Sequence, residues 1–291
     1  MRGLSVAMIC RDEEQLLLGS LASIKAVADE IVVGIDSRTT DQTGAIARAA
    51  GARVHHFDWC DDFSYARNIG LKKAKREWIL VIDADERLTP FGAAMVEQVM
   101  RRARTDIFGY AFTIDQRDMS GKVIDTDPGI TIRMFRNDGT ICYVNRVHEN
   151  LRKNGKTFNI GAFRQMPGLL HLGYDKQIYA EKAKHDRNLS LLLMEMADCP
   201  DNSWVMYNMS RQYHAVGETE TAAKWARAAL ANPGDLPAPF IEICERLVRR
   251  AGVDGPAPIA HKLPRSTHEF SQFPPTAPAP RRLVGDRPLS H

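Results

Sequence analysis

Trp78-Ile79-Leu80-Val81-Ile82-Asp83-Ala84-Asp85-Glu86 is the stretch on which the fold turns. Its five leading residues are all large and apolar, the length of one strand, and no polar residue alternates with them. Both faces of such a strand are expected to be covered, as in a mainly parallel sheet with helices on either side. The run then stops on acids. In an extended segment, residues two apart point the same way, so Asp83 and Asp85 are expected to converge on one ligand with Ala84 turned aside.

Working outward toward the N-terminus, the same alternation recurs. Leu4–Cys10 reads as a buried strand, Glu13–Lys25 as a helix, Ile31–Ile35 as a strand and Asp41–Ala50 as a helix stopped by Gly51. Val54–Phe57 is a third strand and Phe63–Lys75 a further helix. Residues 1–86 are therefore Rossmann-like in pattern, although they lack GxGxxG. Past the acidic tip, Pro90–Arg104 reads as an amphipathic helix. Tyr110–Thr113, Lys122–Ile124, Ile130–Phe135 and Ile141–Tyr143 read as short antiparallel strands that extend the sheet.

From Gln177 the pattern becomes helical. Gln177–Met196 is one long helix. Ser203–Pro233 reads as two helices joined at Gly217, with Ala222, Ala223 and Ala228 permitting close packing. That pair has the look of a single tetratricopeptide repeat, which needs neighbours such as Gln177–Met196 and Phe240–Arg250 to cover its apolar face. Residues 252–291 are rich in proline and read as a disordered or surface-wrapped tail. The expected division is 1–175, a catalytic domain; 176–251, a helical region with one such repeat; and 252–291, the tail.

Composition narrows the class. The chain has 291 residues, with 39 Lys and Arg against 36 Asp and Glu, too balanced to argue for nucleic acid as a partner. The basic runs at Lys72–Arg76 and Arg101–Arg104 read as solvated helix faces. Five widely spaced cysteines without a CxxC argue against a disulfide framework or zinc knuckle and for a reducing, cytoplasmic setting. The first residues, MRGLSVAMICRDEE, read as a strand rather than a leader, and no apolar run is long enough to span a membrane.

In open α/β sheets, ligands bind beyond the carboxyl ends of the strands, where Asp83 and Asp85 fall. Two carboxylates there repel unless a cation shares them. Hard oxygen ligands suit Mg²⁺ or Mn²⁺, which complete their shells with water and phosphate oxygens, so a diphosphate ligand is expected. Asp36, at the end of the second strand, lies on the same sheet edge and is placed to accept hydrogen bonds from a base or ribose; an aspartate there also serves as a turn or helix cap.

Three blocks carry a family resemblance: Leu4–Glu14 (LSVAMICRDEE), Asp29–Thr43 (DEIVVGIDSRTTDQT) and Ala52–Glu86, in which ARNIGLKKAKREWILVIDADE is the most specific part. The chain resembles the family 2 glycosyltransferases of the GT-A fold, in particular a subgroup similar to lipopolysaccharide-core glucosyltransferases and to bacterial proteins that join this domain to tetratricopeptide repeats. The likeness resumes at Ile132–Leu151 (IRMFRNDGTICYVNRVHENL) and Leu170–Tyr174 (LHLGY). It implies an α/β GT-A mixed sheet with helices on both faces, followed by a small α-helical region. It further implies that Asp36 contacts the nucleotide base, Arg67 helps hold the nucleotide, Asp83 lies on the ribose side and Asp85 binds the metal that bridges the diphosphate. The sequence departs from the family after Asp36, where Ser37-Arg38-Thr39-Thr40-Asp41 replaces a shorter Gly-Ser-Thr-Asp turn.

The remaining candidates lie in RVHENL and LHLGY. His148 can complete a metal shell as a neutral imidazole, or be a satisfied structural histidine. Glu149 can take the acceptor proton. Asp62 is its rival, together with Asp61, although both also suit capping the helix that starts at Phe63. His171 is a second histidine for the metal or pyrophosphate. Arg133 and Arg136 can neutralise phosphate, or be exposed strand arginines.

The implied activity is transfer of a sugar from a UDP-sugar or other nucleoside-diphosphate sugar, with Mn²⁺ or Mg²⁺, to a saccharide or lipopolysaccharide-type glycan, with inversion. A protein or modified nucleic acid is the alternative acceptor. From other classes, a nucleotidyltransferase is disfavoured because Arg11-Asp12-Glu13-Glu14 is acidic where a triphosphate would need a basic loop. A noncatalytic helical-repeat protein is disfavoured because one repeat offers little concave surface. Association with the inner face of the membrane and protein contacts through the helices are compatible with the surface charge.

Overall fold

The structure, a computed structural model, describes residues 2–118, 122–164, 166–173 and 178–252. The Pro-rich residues 253–291 and residues 174–177, with Tyr174 and Gln177, fall outside the described residues. Four parallel strands form the N-terminal half of one sheet: β1 (Leu4–Cys10), β2 (Glu30–Asp36), β3 (Arg53–Phe57) and β4 (Trp78–Val81), in spatial order β3-β2-β1-β4. The helices between them are α1 (Leu17–Ile24), α2 (Thr43–Ala49) and α3 (Phe63–Lys73). The strand order reverses at β1, so the gap beyond the carboxyl ends of β1 and β4 is the topological switch point at which such sheets bind ligands.

Beyond β4 the chain makes β5 (Glu86–Leu88), α4 (Pro90–Arg102), β6 (Gly109–Asp118), β7 (Val123–Arg136), β10 (Ile160–Phe163) and β11 (Leu169–Gly173). The sheet continues β4-β7-β6-β11-β5, with β7 antiparallel to β4 and to β6. Expected as two short strands, β7 is one strand of 14 residues. Its register against β6 slips between Ile114 and Gln116, opposite Gly129 and Asp125, which brackets Pro128. An irregularity in the ladder is where a proline, lacking its N–H, is tolerated. A separate hairpin pairs β8 (Ile141–Val144) with β9 (Asn150–Lys153), and its loop carries Arg146–Glu149.

The sheet has two apolar faces, as the unbroken strand demands. Trp78, Leu80 and Ile82 join Leu4, Val6 and Met8 under α1 and α4. Ile79 and Val81 join Ala7, Phe135, Leu71 and Tyr143 on the other side. Each such side chain contributes about 1.5–3 kcal/mol on burial. Helix α4 starts with Thr89 accepting from the Gly92 N–H at 3.0 Å and Pro90 in the first turn. Gly92 lets α4 lie against the backbone of β11: a Cβ there would sit 2.1 Å from the Gly168 carbonyl oxygen.

The C-terminal helices are α5 (Ile178–Asp198), α6 (Ser203–Ala215), α7 (Thr219–Ala231) and α8 (Ala238–Ala251). They share a core with the hairpin loop: Val147 packs with Leu191, Leu192, Met196, Val205, Met209 and Trp225. Ala226 and Ala229 of α7 meet Tyr207, Cys244 and Leu247 in a second cluster. All five cysteines are free. Among the described residues no helix is long and apolar enough to cross a membrane.

Candidate active site

The acidic tip of β4 is not extended. Strand pairing ends at Val81, and the Glu86 N–H donates to the Asp83 carbonyl at 3.0 Å, closing a turn over 83–86. The extended segment expected over residues 83–85 is instead a turn at Ala84 and Asp85. Asp83 and Asp85 each have their own partners. Arg67 Nη1 donates to Asp83 Oδ1 at 3.1 Å, and Arg133 Nη1 lies 3.4 Å from Asp83 Oδ2. His171 Nε2 meets Asp85 Oδ2 at 3.0 Å. Both carboxylates keep about a third of their side-chain surface open, 32% for Asp83 and 33% for Asp85, so a ligand can reach each of them.

Asp83 stands in a chain of alternating charge. Arg133 Nη2 donates to Glu86 Oε1 at 2.5 Å, and Glu86 Oε2 accepts the Asp83 backbone N–H at 2.9 Å. At the other end Arg67 Nε donates to Glu149 Oε1 at 2.6 Å. Burial pushes Asp83 up, but the guanidiniums of Arg67 and Arg133 outweigh it and hold the carboxyl well below the usual range. Glu86, more deeply buried, is pushed up by burial in spite of Arg133. Arg133 is thus a buried ion-pair residue rather than an exposed strand arginine. Arg136 lies over the Trp78 ring at 4.5 Å and pairs with Glu77 at 3.6 Å.

His171 comes from β11, in register with Gln116 of β6 and Glu86 of β5. Its Nδ1 lies 2.6 Å from Gln116 Oε1, a contact that orients the ring with Nε2 toward Asp85. Its hydrogen bond to the Asp85 carboxylate, which accepts, raises His171 above the ordinary imidazole value. Among the described residues, no three His, Cys, Asp or Glu side chains form a preformed metal cage. The donor set at Asp85 and His171, one carboxylate and one imidazole on an open turn, fits a divalent ion that takes the rest of its shell from phosphate and water.

His148 and Glu149 part company. His148 sits at φ +52° in the hairpin loop and turns toward α6: Gln212 Nε2 is 3.3 Å from its Nε2, and Trp204 Nε1 donates to its carbonyl at 3.0 Å. Burial first, then the charges of Arg211, Lys184 and Arg187, push it down to about 4, so it is neutral. No hydrogen bond joins it to Asp85 among the described residues. Glu149 instead points to Arg67 and the Asp83 side. The loop is held by α3 and α5. Asn68 exchanges two 2.9 Å bonds with the Tyr143 backbone, and Glu195 accepts from the Arg146 N–H at 2.8 Å and the Asn145 side chain at 2.7 Å. The Arg67-Asn68 pair therefore aims one side chain at the site and pins the loop with the other.

Asp62 caps α3, accepting the Tyr65 N–H at 2.8 Å. Burial pushes its carboxyl up. Asp61 accepts from Trp59 Nε1 at 2.8 Å. Asp36, 3% exposed, ends β2 and is gripped by the inserted Arg38, whose Nη2 lies 2.6 Å from Oδ2 and whose guanidinium lies 5.4 Å from the Trp59 ring. Burial raises Asp36, yet the hydrogen bonds of Arg38 prevail and lower it.

Glu13, Glu86 and Gln116 were not candidates on sequence grounds. Glu13 follows β1 in a turn where its N–H donates to Thr43 Oγ1 at 2.7 Å; the helix expected from Glu13 begins at Leu17. Burial, then Asp85 and Asp83, push Glu13 up to about 7. Its position just after an apolar strand was the available signal.

Carboxylates and arginines thus gather at the switch point of a mixed sheet, where such folds bind ligands. The chain belongs to glycosyl transferase family 2, whose model matches residues 5–163. A TPR repeat-containing protein of Synechococcus elongatus is 31% identical over 262 residues, 87% of this chain and 63% of that protein. The glycosyltransferase SunS of Bacillus subtilis is 25% identical over 231 residues, 79% of this chain and 53% of that protein. The chain thus spans less than two thirds of the length of either relative. Among solved structures, S. aureus TarS 1-349 in complex with UDP-GlcNAc aligns with a TM-score of 0.48 at 15% identity, over 85% of this chain and 83% of that one. The expected GT-A sheet and the helical region after it are both present.

Proposed function

We propose that the chain transfers a sugar from a nucleoside-diphosphate sugar to a saccharide acceptor, with inversion, using Mn²⁺ or Mg²⁺ at Asp85 and His171. UDP is the expected nucleotide, from the family likeness, and a lipopolysaccharide-type glycan the expected acceptor. The observation that carries this reading is the division of labour in the 83–86 turn. Asp83 is neutralised by two guanidiniums, whereas Asp85 meets only an oriented imidazole and remains available to a cation.

The chemistry follows from these residues. Asp36, its position fixed by Arg38 and Trp59, offers an acceptor to base or ribose at the end of β2. Arg67 and Arg133 flank Asp83 and are offset by Glu149 and Glu86, so the positive charge that would meet the departing diphosphate is that of the divalent ion. A divalent ion held by Asp85 and His171 supplies Lewis-acid stabilisation of the leaving group. Glu149 is the group for the acceptor proton. Its pairing with Arg67 orients it, while Asp62 is occupied as a helix cap and ranks behind it. His148, turned to α6, serves to couple the helices to the Glu149 loop. The pairing of α6 with α7, followed by α8, supports a tetratricopeptide-like reading of 176–251. The acidic Glu13 beside Asp83 and Asp85 disfavours a triphosphate ligand and hence a nucleotidyltransferase.

The test is a panel of nucleotide sugars with Mn²⁺ or Mg²⁺, scored by thermal stabilisation and by release of nucleoside diphosphate. Metal-dependent stabilisation by one donor, with slow hydrolysis lost on chelation, is expected. Pyrophosphate release, or no response to any donor, would refute the reading.

A further inference from the structure

We infer that the groove between α6 and α8 binds phosphate groups on the acceptor, so that the helical region selects a polyanionic glycan; this rests on the transferase reading above. The groove encloses about 310 Å³. Arg211 and His214 line it from α6, and Arg246 and Arg250 from α8, with Ile243 and Leu247 between them. Residues 243, 246, 247 and 250 follow i, i+3, i+4, i+7 spacing and so share one helix face. The acids of α8 lie off that face, where Glu245 pairs with Arg249 at 3.5 Å. No acidic residue lines the groove, and among the described residues no carboxylate pairs with Arg211, Arg246 or Arg250.

Its position ties it to the chemistry. Arg211 lies over the Tyr207 ring at 5.8 Å, and the next residue, Gln212, bonds His148, the neighbour of Glu149. Lys184 and Arg187 of α5 bring further positive charge to the same loop. Cations thus line the groove between α6 and α8 and recur on α6 and α5 beside the loop that carries the proposed base. Guanidinium forks match phosphate oxygens, and clustered like charges concentrate a polyanion. The polar groups of the lining are basic, three arginines and a histidine, which suits phosphate oxygens. Residues 253–291 carry five Lys and Arg against three Asp and Glu, the same sign as the groove, and so do not suit it as an occupant.

The test titrates inorganic tripolyphosphate against the full chain with UDP saturating the donor cleft. Arg250→Glu is expected to weaken binding about fivefold, and the double substitution Arg246→Glu/Arg250→Glu about tenfold or more. Arg249→Glu, the same charge change on the other face, is expected to change it less than about twofold. Equal affinity in the wild type and the double variant, or an equal loss with Arg249→Glu, would overturn the inference. So would a polyglutamate peptide that binds the wild type more tightly than tripolyphosphate. Donor hydrolysis by the wild type is scored separately: its absence refutes the transferase reading, whereas a flat tripolyphosphate series with hydrolysis intact refutes only the groove.

Discussion

Asp83 and Asp85 stand two residues apart and serve different partners: Arg67 and Arg133 hold the first, and His171 meets the second at 3.0 Å. The two are therefore expected to fail differently when neutralised. Asp85→Asn should lower sugar transfer about 10²-fold or more and abolish its response to Mn²⁺, with the melting temperature nearly unchanged. Asp83→Asn should leave two largely buried guanidiniums undercompensated and cost about 2 kcal/mol of stability. Urea unfolding beside donor hydrolysis separates them. Equal stability losses in the two variants would contradict the division.

Gln116 reaches the site only through His171 Nδ1, at 2.6 Å. Gln116→Leu removes the acceptor that orients the ring, so metal affinity should fall about tenfold, with Glu at the same position restoring most of it. Mn²⁺ titration followed by paramagnetic relaxation reads this directly. Unchanged affinity in the Leu variant would remove Gln116 from the site.

Acid should weaken the fold through two histidines. His148 is pushed down to about 4 by burial and nearby cations. His55 is also down to about 4; burial is the main cause, and both its ring nitrogens lie buried without a partner. The unfolded chain takes up these protons near the ordinary 6.5, whereas the folded chain resists until about 4. Stability is therefore whole above 6.5 and declines as pH falls through that window. Replacing either histidine by Gln should flatten the slope of the urea midpoint against pH. An unaltered slope in the double variant would count against the assignment.

Glu13 gives the opposite pH dependence. Burial, Asp85 and Asp83 raise it from 4.5 to about 7, so the folded state holds its proton more tightly than the unfolded one. Its contribution is present at low pH and is lost as pH rises through about 7. Glu13→Gln mimics the protonated form. The variant should unfold later than wild type at about pH 8 and match it near about pH 5, and Mn²⁺ should narrow the gap at pH 8 by neutralising the same cluster.

Gly92→Ala should destabilise without touching the site. The new methyl would meet the Gly168 carbonyl, a backbone atom that cannot swing aside, and overpacking of this kind costs about 1–3 kcal/mol. A normal melting temperature in this variant would mean that α4 can slide on β11.

Much of the fold was legible because local rules governed it. The five-residue apolar run before Asp83 announced a strand buried on both faces, and the alternation upstream announced its parallel neighbours. Asp36, Asp83, Asp85 and Glu149 could be singled out as candidates because each follows a strand or lies in a dense motif. The strands β5, β9, β10 and β11 were missed: at three to five residues each they carry no period strong enough to read, and, except for β9 in its hairpin with β8, their pairing partners are remote in sequence. The extended Asp83–Asp85 segment was misread because a three-residue hydrogen bond, invisible in the sequence, closes the turn.

By itself, then, the sequence determined the parallel half-sheet, the acid-bearing strand end and the helical C-terminal region, since hydrophobic period and strand length are properties of neighbours in the chain. Only tertiary structure decided which acid meets an arginine and which a histidine. Arg67, Arg133, Gln116 and His171 arrive from four separate elements, and their distances depend on how those elements pack, which no local pattern encodes.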